Sequence, residues 1–160
     1  MPSHFRSRLL AACSSLCFGA VAVALVSQHA FGMQPCAWCV LQRVAYLVAG
    51  LVCLVGAHQG RLARAAAGLG LVLTSAGAAA AWFQHTVASH LASCDRTFAD
   101  RIISQSGLDD MLPPVFGIYA SCMDARVPLF GVEYALWSLV VFVVLMAALV
   151  FAAGAPAHRR

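Results

Sequence analysis

Residues 34–57 read QPCAWCVLQRVAYLVAGLVCLVGA. From Val40 onward the stretch is apolar apart from Gln42 and Arg43. A helix crossing a bilayer core needs about 20 residues, with about 17–25 tolerated. Hydrocarbon offers no partner to a backbone N–H or C=O, so such a run must be helical. Two cysteines, Cys36 and Cys39, stand at its head, and a charge, Arg43, lies four residues inside.

Working outward, three further runs have the same character. The four apolar stretches span about 9–31, 40–57, 65–83 and 132–153, each of spanning length. Of the 160 residues, 62% are hydrophobic and 10% charged, against about 25% charged in a soluble domain. The expected fold is an all-α membrane protein. It is a single domain over 1–160, a four-helix transmembrane bundle with loops at about 32–39 and 84–131. The third run, AAAGLGLVLTSAGAAAAWF, is rich in small residues that let transmembrane helices approach closely. The first run exceeds the 7–15 residues of a typical signal-peptide core, roughly speaking, and lacks a small-x-small cleavage site, so a retained anchor is expected.

Charge sets the orientation. All ten basic residues are arginine, and all six acids fall between Asp95 and Glu133. Arg6 and Arg8, then Arg61 and Arg64, then Arg159 and Arg160 mark three segments without an acid. The positive-inside rule makes those segments, and both termini, cytoplasmic. The connections at about 32–39 and 84–131 then face the outside, the periplasm of a bacterium. No basic patch on a soluble module supports a nucleic-acid partner.

Of seven cysteines, Cys13, Cys17 and Cys53 lie within apolar runs, where a free thiol packs as a small hydrophobe. Cys36, Cys39, Cys94 and Cys122 all fall on the outer side, where disulfides persist. A C-x-x-C at a helix start has unsatisfied N–H groups and the helix dipole to stabilise a thiolate, the nucleophilic form. Pro35 fits the first turn of that helix. Arg43, four residues after Cys39, lies about 6 Å deeper. Cys36, Cys39 and Arg43 share one helix face. A cation inside the membrane is either functional, holding negative charge near Cys39, or snorkels to the headgroups. Gln42 is a weaker candidate.

Cys94 and Cys122 either close a structural disulfide in the long loop or exchange with the first pair. Zinc usually takes two C-x-x-C knuckles, and here the second pair is widely split. Haem attachment needs C-x-x-C-H, and Val40 follows Cys39. No metal is expected. Val115, Phe116, Ile118 and Tyr119 form an apolar cluster too short to span. It lies on the membrane surface or packs onto the bundle. His85 and His90 sit at the outer end of the third run, where hydration or an approach to an acceptor are both open.

PCAWCVLQR, FQHTVASHLASCDRTF, PPVFGIYASC and LFGVEYALWSL together resemble the disulfide bond formation protein B (DsbB) family, quinone-linked thiol oxidases of the bacterial inner membrane. The likeness covers essentially the whole chain. It implies two redox disulfides, Cys36–Cys39 and Cys94–Cys122. It implies a soluble partner, a periplasmic thioredoxin-fold oxidase of DsbA type. That partner's thiol attacks the loop pair at Cys94, supporting disulfide formation in exported proteins. Electrons pass to Cys36 and then Cys39, which meets a ubiquinone or menaquinone from the membrane pool. Arg43 matches the arginine that supports the quinone, and His85 resembles a family histidine near it. Glu133 matches an acid at the start of the last helix, with no chemistry assigned.

A quinone also makes redox sense. A DsbA-type disulfide lies near about −120 mV, more oxidising than typical disulfides, so its reoxidation needs a stronger acceptor. Two other function classes account for parts of the sequence. A structural subunit or small transporter with inert disulfides leaves Arg43 to snorkelling. A quinone-linked reductase of the vitamin K epoxide reductase type carries its C-x-x-C late in the chain.

Overall fold

The computed structural model describes residues 2–91 and 97–154, with side chains from His4 onward. Among the described residues four helices are long and apolar enough to cross a membrane: α1 (Pro2–Phe31), α2 (Ala37–His58), α3 (Ala63–Thr86) and, after the outer loop, α7 (Tyr134–Gly154). Each of α1–α2, α2–α3 and α3–α7 packs closely, and α1 and α7 approach each other more loosely. The result is the expected four-helix membrane bundle.

Small residues set the close approaches. A Cβ added at Gly77 would stand 2.3 Å from the Phe142 ring, and one at Gly56 would stand 2.3 Å from Ala66 Cβ. Phe142 in turn stacks on Tyr46 with centroids 4.0 Å apart. Tyr46 donates its hydroxyl to the Ser138 carbonyl at 2.9 Å, tying α2 to α7. Cys13, Cys17 and Cys53 are buried in this core beside Leu10, Leu145 and Leu149.

The helix ends differ from the sequence expectation for local reasons. α1 begins at Pro2 rather than about residue 9 because its polar first turns bond the ends of other helices. Arg6 Nε donates to the Ala152 carbonyl at 2.9 Å, and Ser7 Oγ to the Ala57 carbonyl. Those carbonyls belong to final helical turns, which lack intrahelical donors. Gly32, at φ 67°, turns the chain out of α1. α3 runs past residue 83 to Thr86 and continues as a 3-10 turn, Ala88–His90.

α2 begins at Ala37, three residues before the expected start, and Cys36 is its N-cap with extended backbone (φ −90°, ψ 173°). Pro35 therefore lies before the cap, outside the first turn. Its carbonyl accepts instead from Tyr119 N at 3.0 Å and Ala120 N at 3.2 Å. The outer loop is thus fastened beside the C-x-x-C.

Within that loop, α4 (Phe98–Ser106) is capped by Thr97, whose side chain accepts from Asp100 N, and ends at Gly107 with φ 67°. Two single-turn helices follow, α5 (Leu108–Met111) and α6 (Pro113–Phe116). Phe116 packs with Ile103 of α4 against Val40 of α2. The 115–119 cluster therefore packs onto the bundle at Phe116, while Tyr119 stays half exposed. The chain then forms a short antiparallel hairpin, β1 (Pro128–Leu129) with β2 (Val132–Glu133). Phe130 (φ 54°) and Gly131 (φ 80°) make its turn. Two positive φ angles are what a type I′ hairpin requires. Val132 and Glu133, expected within the last helix, are strand for this reason, and α7 starts at Tyr134.

Candidate active site

The α2 N-terminus gathers the chemistry. Cys36 and Cys39 are free thiols with sulfurs 3.3 Å apart. Their environments differ. Cys36 is fully buried in a cluster with Ala37, Ala88, Ala99 and Cys122. Its hydrogen bond to Cys39, and then its burial, hold its thiol well above the ordinary value. Cys122 is disulfide-bonded and 1% exposed. Cys94, the other half of the proposed loop pair, lies outside the described residues.

Cys39 touches the same cluster and also lines a cavity of about 350 Å³ between α1 and α7. Its sulfur stays in contact with that of Cys36, so the two thiols keep the shared position expected for them. Arg43 keeps the helical register and lines the cavity with Cys39, Gln42 and Gln84. The remaining wall is mostly apolar, including Leu16, Ala20 and Val141.

Arg43 is 5% exposed and does not reach water by snorkelling. Nη1 donates to Gln28 Oε1 at 2.6 Å and to the Val115 carbonyl at 2.8 Å. Nη2 makes a long contact with the Ala24 carbonyl at 3.5 Å. The guanidinium thus bolts α2 to α1 and to α6. Besides Cys36, Gln84 hydrogen-bonds Cys39, its Nε2 donating to Sγ at 3.1 Å. Gln42 Nε2 donates to Gln84 Oε1 at 2.6 Å. Gln28 and Gln84 were not singled out from the sequence. The available signal was an amide inside a spanning helix, which charge patterning does not register.

His85 is not among the cavity's lining residues. Its Nδ1 meets Glu133 Oε2 at 2.5 Å, and Arg126 Nε donates to Glu133 Oε1. Desolvation raises the Glu133 carboxyl, but these two hydrogen bonds and the Arg126 charge outweigh it and bring it below its ordinary value. The trio links α3 to the hairpin. Among the described residues no group of three or more His, Cys, Asp or Glu side chains is arranged to hold a metal.

The residues fit a quinone. A thiol, a guanidinium and two amides crowd one part of a cavity otherwise apolar, which suits a ring bearing carbonyl oxygens and an apolar tail. The volume lies within the range of about 300–1,000 Å³ common for small-molecule sites.

Comparison with known proteins identifies relatives along most of the chain. The family model for disulfide bond formation protein DsbB matches residues 6–152. Disulfide bond formation protein B of Ralstonia nicotianae is 33% identical over 138 residues, covering 86% of this chain and 87% of that one. The protein of that name from Herminiimonas arsenicoxydans is 32% identical, covering 78% and 80%. Disulfide bond formation protein B 2 of Burkholderia lata is 33% identical, covering 82% and 79%. No solved structure matches the chain. A membrane bundle with a dithiol at a helix start, matched over most of its length in this way, belongs to the DsbB family of disulfide bond formation proteins.

Proposed function

We propose that this disulfide oxidoreductase reoxidises a periplasmic thioredoxin-fold oxidase of DsbA type and passes the electrons to a membrane quinone. The single observation that carries the reading is the position of Cys39. Its sulfur is 3.3 Å from Cys36, and it lines an apolar cavity beside Arg43. Cys36 shares its buried cluster with Cys122, so one dithiol faces both a loop cysteine and the cavity.

Electrons and protons balance through three exchanges. The partner's dithiol becomes a disulfide as the Cys94–Cys122 pair is reduced, with Cys94 attacked first. The reduced loop pair is reoxidised as the Cys36–Cys39 disulfide becomes a dithiol. That dithiol returns to the disulfide, releasing two electrons and two protons. A bound quinone supplies the oxidant, taking up both to become the quinol. Arg43 offers positive charge to an acceptor oxygen, and the apolar wall excludes water from the exchange. On this reading the protein sits in the bacterial inner membrane, with both termini cytoplasmic and both cysteine pairs periplasmic. The arginine distribution supports that orientation.

The test uses purified full-length protein in detergent with a soluble quinone and a reduced DsbA-type partner. Quinone reduction should proceed with wild type and stop with Cys39→Ser. Absence of wild-type turnover, or undiminished turnover in the variant, overturns the reading.

A further inference from the structure

Arg43 is expected to hold negative charge near Cys39, on the thiolate or on an acceptor oxygen, and it does so at a distance, since its short hydrogen bonds run to Gln28 and Val115. The sulfur's donor comes from another helix. Gln84 of α3 is 5% exposed and places Nε2 3.1 Å from Cys39 Sγ. An amide offers two donors and one acceptor oxygen, so its effect on a sulfur depends on which end faces it. Here Gln42 decides. It lies one helical turn after Cys39 on α2, and its Nε2 donates to Gln84 Oε1 at 2.6 Å. With the oxygen so engaged, the NH₂ end is turned to the sulfur. Both amides are buried, and in such surroundings a hydrogen bond is electrostatically stronger than in water.

We propose that Gln84, oriented by Gln42, is the positioning residue for Cys39, fixing its sulfur at the cavity wall and placing the thiolate charge on Cys39 rather than on Cys36. The proposal rests on the reading that Cys39 is the thiol facing the acceptor, and it adds how that thiol is chosen. Cys36 Sγ and Cys39 Sγ share one proton-bridged contact, which alone is symmetric. A single external donor to one sulfur breaks that symmetry. The proton leaving Cys39 passes to the aqueous side, and no electron moves in this step. An amide donor is neutral, so the bias persists whatever charge develops in the cavity.

Among the described residues the other groups that face Cys39 are few. On its own helix they are Cys36 and Arg43, and Tyr134 of α7 lines the same cavity. From α3 the facing group is Gln84 itself, since His85 is engaged with Glu133. Val115 of the loop presents only its carbonyl to Arg43.

The experiment measures alkylation of Cys39 by iodoacetamide across pH in the reduced full-length protein, in detergent without added quinone, with the modified residue identified by mass spectrometry. Gln84→Met keeps the length and removes the donor. Its midpoint should move up by about one pH unit, slowing alkylation about tenfold below the midpoint, as expected for a lost hydrogen bond to a charged group. Gln42→Met leaves the donor but frees its orientation, and should move the midpoint the same way by less. A residue that merely packs would lower thermal stability and leave the profile in place. An unchanged or lowered midpoint in Gln84→Met overturns the proposal. If Gln84→Met does not fold, Gln42→Met decides, and an unmoved midpoint there overturns it. Quinone turnover is followed in parallel. A moved midpoint in a protein without turnover sinks the acceptor reading and leaves Gln84's positioning of Cys39 standing. Turnover with no movement does the reverse.

Discussion

At Arg43 a positive charge sits in a spanning helix, and its hydrogen-bond partners are neutral oxygens. Carbonyl dipoles solvate the guanidinium without cancelling its charge. That leaves a field for an acceptor oxygen in the cavity, where low dielectric makes it count. Arg43→Met should raise the apparent KM for quinone about tenfold, the scale of one charge-assisted contact. Initial rates against quinone concentration check this. An unchanged KM confines Arg43 to tying α2 to its neighbours. Arg43→Lys should recover little, because a point charge cannot reproduce a planar fork that reaches Gln28 and Val115 together. The sequence showed the dithiol and the arginine because their chemistry is local to nine residues. It did not show Gln28 or Gln84, which reach the site from other helices.

The elements carry their own tests. Gly77 faces the Phe142 ring, and an added Cβ would stand 2.3 Å away. Gly77→Ala should destabilise by about 1–3 kcal/mol through overpacking, read as a lowered midpoint of thermal unfolding in detergent. Gly68, on the same helix with nothing within 4 Å of an added Cβ, should tolerate alanine. Equal behaviour of the two would contradict the packing described for α3 and α7. The hairpin depends on Glu133, whose carboxyl sits below its ordinary value. A depressed carboxyl contributes stability that is complete at neutral pH and fades as pH falls through its folded value. Glu133→Gln should therefore lower stability at pH 7, and the gap to wild type should close on acidification below the ordinary glutamate range. A gap independent of pH would contradict the ionic link. The four spans were legible because hydrocarbon leaves the backbone no alternative to helix. Their ends were not, because each is set by a distant partner. Arg6 meets the end of α7, and the Phe130–Gly131 turn converts a nominal helix start into strand.

Across the whole molecule, the bundle puts its chemistry and Arg43 at one end and a second helix-tethering arginine, Arg6, at the other. The α2–α3 link and Met123 lie at opposite ends, which makes orientation measurable. In a background lacking Cys36, Cys39, Cys94 and Cys122, Met123→Cys should react with an impermeant thiol reagent in spheroplasts. Gly60→Cys should react only after permeabilisation, and the opposite pattern would invert the topology. The proposed path of electrons runs from a soluble dithiol, through Cys36 and Cys39, to an acceptor in lipid. Its most direct measurement is quinone reduction by the purified protein with a reduced DsbA-type partner. Wild type should turn over many quinones per protein, and Cys39→Ser should turn over none. Quinone reduction that survives in Cys39→Ser would contradict the path.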